Sequence, residues 1–146
     1  MKKKKILFVC KHNLFRSQVG EKFFNKLNKN KNYVAESAGV IKWNPKDLKG
    51  DKAYAAEKKV AAEKGIKMEK NSQGLSSSLL KSTDILVIVA DDVSPEIFRT
   101  DKAFNGKIKI WKTKDVKARY RDKEKVASNT VNFIEKKVRN LVKTLK

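Results

Sequence analysis

The sequence is poor in several residue types, and each shortage excludes a class of protein. Its 146 residues include 1 cysteine, 1 histidine, 2 prolines and 6 glycines. One cysteine cannot form an intramolecular disulfide, and together with one histidine it is too little for a Cys/His zinc site. The low glycine and proline content, with apolar residues in organised runs, excludes collagen-like and disordered chains. No apolar run approaches the ~18 residues of a membrane span. We therefore expect one globular domain over residues 1–146, with no metal and no cofactor.

Acidic residues are also scarce, with 16 Asp and Glu against 36 Lys and Arg, for a net charge of +20. This balance is compatible with nucleic acid, an anionic membrane surface or a small anionic substrate. Only 5 of the basic residues are arginine, the side chain on which nucleic-acid readers depend most, so the composition disfavours a nucleic-acid partner. Residues 1–50 and 101–146 each carry +10, whereas residues 51–100 are neutral.

The first ten residues have some features of a secretion signal, because four lysines precede an apolar stretch. That stretch covers only residues 6–10, which is shorter than the ~7–15 residues of a signal core, and no small-residue cleavage site follows. We therefore expect a cytoplasmic protein without a membrane association.

Apolar patterning predicts strands that alternate with helices. Continuous apolar runs at 6–9 and 85–90 indicate strands buried on both faces of a parallel sheet, and weaker strands are predicted at 33–35 and 108–111. Amphipathic helices are predicted at 19–27 and 126–145. A further helix lies between an N-cap at Asp51 and Gly65, with residues 54, 55, 58, 61 and 62 at helical spacing. The order predicts an α/β fold: one three-layer domain with a four-stranded parallel sheet flanked by helices.

The loop after the first strand carries the strongest chemical signal. In open α/β sheets ligands bind at the carboxyl ends of strands, and here five residues separate Cys10 from Arg16 at such an end. The intervening N–H groups and the start of the next helix form an anion cradle, in which the Arg16 guanidinium can bind two phosphate oxygens. The same positive surroundings favour the thiolate of Cys10, a candidate nucleophile. Taken singly, Cys10 is more ordinarily a small buried residue and Arg16 a solvent-facing one; their spacing and position favour catalysis.

Residues 9–18, Val-Cys-Lys-His-Asn-Leu-Phe-Arg-Ser-Gln, fit the pattern Cys-x-x-Asn-x-x-Arg-Ser. In this segment the chain resembles the low-molecular-weight protein tyrosine phosphatase superfamily, which also contains thiol-dependent arsenate reductases. Weaker similarity extends over the chain at residues 37–39, 65–66 and 84–87. The resemblance implies a phosphate-binding loop directly after the first strand.

The resemblance also implies roles for individual residues. Cys10 is expected to attack phosphorus and form a phosphocysteine, while Arg16 binds the phosphoryl oxygens. Asn13 is expected to hold the loop in a strained shape, which Asn suits because it tolerates left-handed backbone, and Ser17 to donate to the thiolate. The remaining residues of the substrate-binding loop are Lys11, His12, Leu14 and Phe15.

A general acid is the least certain part of the pattern. The superfamily has an aspartate four residues beyond a tryptophan, usually in an Asp-Pro pair, and protonation by such a group contributes ~10²–10⁴-fold. Asp115 stands four residues after Trp111, but Val116 follows it and the chain has no Asp-Pro pair. Asp115 is our candidate and Asp122 the alternative; equally, Asp115 balances charge in a lysine-rich loop.

The resemblance implies a protein tyrosine phosphatase that acts on a phosphotyrosyl protein or a small aryl phosphate. Trp43 and Tyr120 are candidate walls for the aromatic ring, although core or capping roles fit them as well. A ring of basic residues is expected near the mouth, where it would steer phosphate esters; its members are Lys11, Lys112, Lys114, Lys117, Arg119 and Arg121.

Two other functions remain open. The His12-Asn13 pair and Gln18 are closer to the arsenate-reductase branch, whose substrate is another phosphate-type oxyanion. Residues 70–92 lack the cysteines of thioredoxin-coupled reductases, so the alternative is a single-cysteine arsenate reductase that uses an external thiol. The third hypothesis is a basic module without enzymatic activity that binds nucleic acid or a phosphorylated partner, with the loop retained as an anion site.

Overall fold

The computed structural model describes residues 3–41, 50–68, 72–117 and 119–145. Its centre is a sheet of four parallel strands in the order β2-β1-β3-β4. The strands are β1 (Lys4–Cys10), β2 (Tyr33–Gly39), β3 (Ile85–Val89) and β4 (Lys107–Trp111). The helices are α1 (Arg16–Leu27), α2 (Lys52–Glu63), α3 (Ser77–Lys81), α4 (Glu96–Arg99) and α5 (Lys123–Thr144). The predicted α/β fold with a four-stranded parallel sheet is confirmed.

Strand β1 lies inside the sheet and has an apolar core on each face. Successive side chains of a strand point to opposite faces, so Ile6 and Phe8 pack with α1, α2 and α5, whereas Leu7 and Val9 pack with Leu80 of α3 and Phe98 of α4. The side chains of these four residues, 6 to 9, have 0% exposure. A continuous apolar run is therefore the right pattern for this strand, and the two cores make the three layers.

Polar residues set the ends of the longer helices. The carboxylate of Asp51 accepts the Tyr54 N–H at 3.0 Å, and α2 ends before Gly65, which has a φ of +76°. These features confirm the predicted cap and terminator of α2. Helix α5 begins at Lys123, earlier than its apolar pattern indicates, because Asp122 caps it by accepting the Lys125 N–H at 2.9 Å.

Strand β2 is longer than predicted, because it runs on to Gly39, whose pairing partner is Cys10. A glycine is required there, since a Cβ at residue 39 would lie 2.6 Å from the His12 carbonyl carbon and 2.7 Å from the Asn13 nitrogen. The end of β2 therefore packs directly under the loop that follows β1.

Within the described ranges, no helix combines the length and apolarity needed to cross a membrane.

Candidate active site

The loop over residues 10–15 is fixed by Asn13, which has a φ of +56° in the left-handed region. Its side-chain amide donates to Ser17 Oγ at 2.7 Å, and its Oδ1 accepts the Gln73 N–H at 2.8 Å. Gln18 Nε2 donates to the Asn13 carbonyl at 2.6 Å. Asn13 is 2% exposed, and its side chain lies behind the loop, where it links the loop to α1 and to the segment before α3.

The sulfur of Cys10 lies inside this loop, and Cys10 as a whole residue is 2% exposed. Its Sγ is 3.0 Å from Ser17 Oγ, and the Asn13 N–H donates to it at 3.3 Å. Both groups can donate to a thiolate, and Ser17 lies in the first turn of α1, which begins at Arg16. The contact between Cys10 and Ser17 is present, and the catalytic roles assigned to the two residues stay predictions.

Arg16 is buried, at 2% exposure, and its guanidinium contacts the loops that follow β3 and β4. Nη1 donates to the Thr113 carbonyl at 2.8 Å, and Nη2 pairs with Asp92 Oδ1 at 3.0 Å. Asp115 Oδ1 lies 4.0 Å from Nε. Burial works to lower the pKa of Arg16, but Cys10, Asp115 and Asp92 together raise it above its ordinary value. Arg16 is therefore a fixed cation, held by partners on both loops.

The two candidate acids have different surroundings. Asp115 borders the same cavity as Cys10 and lies beside Arg16. The carboxylate of Asp122 caps α5 and is not among the residues that line the cavity. The geometry favours Asp115 over Asp122, and the acid role itself stays a prediction.

A cavity of about 150 Å³ opens over the sulfur. It is lined by Cys10, His12, Leu14, Phe15, Arg16, Asp51, Ala53, Tyr54, Glu57, Asp115 and Val116. The structure thus brings six of the predicted site residues to one cavity. Lys11 is half-buried outside this lining, and Asn13 and Ser17 lie beneath the loop.

Tyr54 of α2 is an aromatic lining residue, besides the predicted Phe15, that sequence reasoning did not select as a wall. Tyr120 is not among the lining residues, and the Arg119 guanidinium lies 5.9 Å from its ring centroid. Trp43, the other predicted wall, lies outside the described residues.

Glu57 is a second lining residue that the sequence did not reveal. It lies on the buried side of α2 with Ala53, Ala56, Val60 and Ala61, not on the exposed side. Burial, followed by the charge of Asp115, raises the pKa of Glu57 well above its ordinary value, although Arg16 opposes the shift. Burial and Glu57 in turn raise the pKa of Tyr54.

The charge inside the cavity differs from the charge of the whole chain. Its described lining contains three carboxyl side chains, those of Asp51, Glu57 and Asp115, against the cation of Arg16. Burial, followed by the charge of Lys11, lowers the pKa of His12 from 6.5, against the opposing effects of Asp115 and Asp92. The predicted basic ring is absent from this lining. Its described members on the loop after β4, namely Lys112, Lys114, Lys117, Arg119 and Arg121, are exposed.

Among the residues that the structure describes, no group of three or more His, Cys, Asp or Glu side chains is arranged to hold a metal ion.

Comparison with solved structures finds the same fold in enzymes of two kinds. Wzb of Vibrio vulnificus, solved in complex with benzylphosphonate, is 26% identical, with a TM-score of 0.72 over 97% of this chain and 99% of that one. A protein tyrosine phosphatase from Entamoeba histolytica, with Hepes in its active site, is 26% identical, with a TM-score of 0.73 over 95% and 94%. An arsenate reductase from Archaeoglobus fulgidus is 25% identical, with a TM-score of 0.69 over 94% and 98%.

A search of curated proteins found no match. The family model for low molecular weight phosphotyrosine protein phosphatase matches residues 5–146, nearly the whole chain. Its members are enzymes, and the predicted resemblance is confirmed at this level. With the loop, the buried arginine and the sheet order all in place, the chain belongs to the low molecular weight phosphotyrosine protein phosphatase family.

Proposed function

We propose that the protein is a protein tyrosine phosphatase that hydrolyses phosphomonoesters through a phosphocysteine on Cys10. The observation that carries this proposal is the arrangement of one cavity: a sulfur that receives the Asn13 N–H, a buried Arg16 beside it and Asp115 on the facing loop. A nucleophile, a cation for the phosphoryl oxygens and a proton donor are the three groups that the reaction needs.

In the first step the phosphoryl group of the substrate occupies the loop, and the Cys10 thiolate attacks phosphorus in line with the leaving oxygen. The S–P bond forms as the P–O bond breaks, and Asp115 gives its proton to the departing oxygen. Arg16 has five N–H donors, and its contacts to Thr113 and Asp92 leave others for the phosphoryl oxygens. These contacts also orient the guanidinium before substrate arrives, which reduces the cost of ordering it.

In the second step water attacks the phosphocysteine and Asp115 takes its proton. The S–P bond breaks, inorganic phosphate is released and the thiolate returns. The Ser17 hydroxyl, 3.0 Å from Sγ, and the Asn13 N–H then stabilise the negative charge on sulfur. The loop therefore serves the leaving thiolate as well as the phosphoryl group.

The proposed substrate is a phosphotyrosyl protein or a small aryl phosphate. Leu14, Phe15, Tyr54 and Val116 supply apolar surface around the sulfur, and an aromatic ring can pack on a tyrosine.

The decisive experiment compares wild type with Cys10→Ser in hydrolysis of 4-nitrophenyl phosphate and of a phosphotyrosyl peptide. We expect Cys10→Ser to have no measurable turnover with either substrate, and rapid acid quench of wild type to trap phosphate on the protein. Full activity of Cys10→Ser, or turnover without a trapped intermediate on any time scale, would contradict the mechanism. Circular dichroism checks that the variant is folded.

Arsenate reduction is the second candidate, since the structural relatives include an arsenate reductase that is 25% identical. With one cysteine, this route needs an external thiol to resolve a Cys10–arsenic adduct. The test is arsenite formation from arsenate with glutathione and a glutaredoxin. Arsenite production that depends on Cys10, together with no hydrolysis of aryl phosphates, would replace the first proposal.

A further inference from the structure

Glu57 is a buried acid in the cavity that the proposed mechanism does not use. It is 6% exposed and belongs to the lining with Cys10 and Asp115. In the described parts of the chain no fully buried side-chain oxygen lacks a hydrogen-bond partner; since no hydrogen bond or ion pair holds the carboxyl group of Glu57 there, its oxygens reach the solvent of the cavity. The other two acids of the lining have such partners, because Asp51 accepts the Tyr54 N–H and Asp115 lies 4.0 Å from Arg16.

Burial raises the pKa of the Glu57 carboxyl group, because the charged form loses more hydration than the neutral form does. The groups that act on Glu57 are Asp115 from the loop after β4, Arg16 from α1, and Asp51 and Tyr54 from the start of α2. Cys10 and His12, from the loop after β1, line the same cavity. Asp115 and Asp51 are acids that repel a second negative charge. The single opposing cation, Arg16, is already paired with Asp92 and Asp115.

Asp115 is the proposed general acid of the same cavity, and its Oδ1 lies 4.0 Å from Arg16 Nε. A general acid must carry its proton when the leaving oxygen departs. Two carboxyl groups that share a desolvated site do not ionise independently, so such a pair retains one proton to a higher pH than a lone group.

We propose that Glu57 is a positioning residue that acts through Asp115, the general acid. The two carboxyl groups share one proton in the cavity, and Glu57 passes that proton to Asp115. The inference rests on the proposed phosphatase reaction. In the first step S–P forms, P–O breaks, the leaving oxygen takes a proton from Asp115, and the proton on Glu57 passes to Asp115 directly or through a cavity water. In the second step the proton from the attacking water returns to the pair.

The test is the pH dependence of kcat/KM with phenyl phosphate, a substrate whose poor leaving group depends strongly on the acid. Wild type, Glu57→Gln and Glu57→Asp are compared from about pH 5 to about pH 9, and each variant is expressed as a ratio to wild type so that the substrate's own ionisation cancels. Glu63→Gln is the matched control, because it makes the same chemical change on an exposed position of α2.

We expect the Glu57→Gln ratio to stay near one at acidic pH and to fall with rising pH, by on the order of 10-fold or more, as Asp115 ionises alone. With 4-nitrophenyl phosphate the fall is smaller, because that leaving group needs less protonation. Glu57→Asp keeps a carboxyl group and restores most of the alkaline activity. In an Asp115→Asn background, Glu57→Gln has no further pH-dependent effect.

A ratio of Glu57→Gln to wild-type kcat/KM that does not change with pH overturns the inference. This holds if the ratio is one, and also if it is lowered equally at every pH, since a uniform loss indicates a structural role. An equal pH-dependent fall in the Asp115→Asn background also overturns it. If Cys10→Ser retains activity, the phosphatase proposal fails; if Cys10 is essential and the Glu57→Gln ratio is flat, only the inference fails.

Discussion

The cavity over Cys10 has two walls of different construction. One wall is the loop over residues 10–17, where Cys10, Asn13 and Ser17 contact one another and Asn13 also contacts Gln18 and Gln73 behind the loop. The other combines Asp51, Tyr54 and Glu57 of the α2 region with Asp115 from the loop after β4. The first wall is contiguous in sequence, whereas the second brings together separate elements and contains a buried acid, Glu57. In the proposed reaction the first wall binds the phosphoryl group and the second handles the proton.

The largest expected effect tests the cation of the first wall. Arg16→Lys keeps the charge but removes the planar fork that reaches Thr113 and Asp92 together, so we expect kcat/KM to fall on the order of 10³-fold. Steady-state kinetics with an aryl phosphate measure it. Activity within a few-fold of wild type would show that charge alone suffices there.

The next effect compares two aspartates of the same segment. Asp115→Asn should lower kcat/KM with phenyl phosphate on the order of 10²-fold, because it removes the proton donor. Asp122→Asn is the matched control, since asparagine caps a helix about as well as aspartate and Asp122 serves α5. A large loss for Asp122→Asn with none for Asp115→Asn would reverse the assignment of the acid.

A smaller effect concerns the rigidity of the first wall. Asn13→Ala removes the hydrogen bonds to Ser17 and from Gln73 and leaves alanine at a φ of +56°, so unfolding free energy should fall by about 1–3 kcal/mol. Asn13→Gly loses the same bonds without the backbone strain and should retain more stability. Chemical denaturation measures both. Equal losses would mean that the left-handed backbone contributes nothing.

The smallest expected effect concerns the second wall and is a pH dependence of protein stability, not of catalysis. Because folding raises the pKa of Glu57 above 4.5, its contribution to stability is fully present below that value and is lost as pH rises through the folded pKa. Glu57→Gln removes this loss, so its melting temperature relative to wild type should increase with pH. Glu63→Gln should show no such trend. A difference in melting temperature between Glu57→Gln and wild type that is the same at every pH would contradict a raised pKa of Glu57.

The same two walls differ in how far sequence predicts them. The first follows from one apolar run and one short motif, because β1 delivers Cys10 and α1 delivers Arg16 within a few residues of chain. The second wall was not predicted, because alanines lie on both the buried and the exposed side of α2. The spacing of residues 54, 55, 58, 61 and 62 therefore predicted the wrong buried face for this helix. Three of those positions, 55, 58 and 62, are exposed, and Glu57 lies on the buried side instead.

Asp92 was missed for a different reason. It follows β3, at the same sheet edge as Cys10, and the rule that ligands bind at the carboxyl ends of strands applies to it equally. An acid at a strand end has no motif to mark it, however, and its pairing with Arg16 depends on the sheet order that only the fold supplies.

The carbonyl oxygen of Thr113 accepts both the Asp91 N–H at 3.0 Å and Arg16 Nη1 at 2.8 Å. Since this oxygen belongs to the main chain, no side-chain replacement at position 113 can delete it. The junction that this oxygen makes between α1 and the loops after β3 and β4 therefore keeps its acceptor whatever side chain stands at position 113, while the buried Thr113 hydroxyl adds a hydrogen bond to the Trp111 carbonyl at 2.6 Å. Loss of the junction requires a change in the donors themselves, such as a proline at position 91, which would remove the N–H.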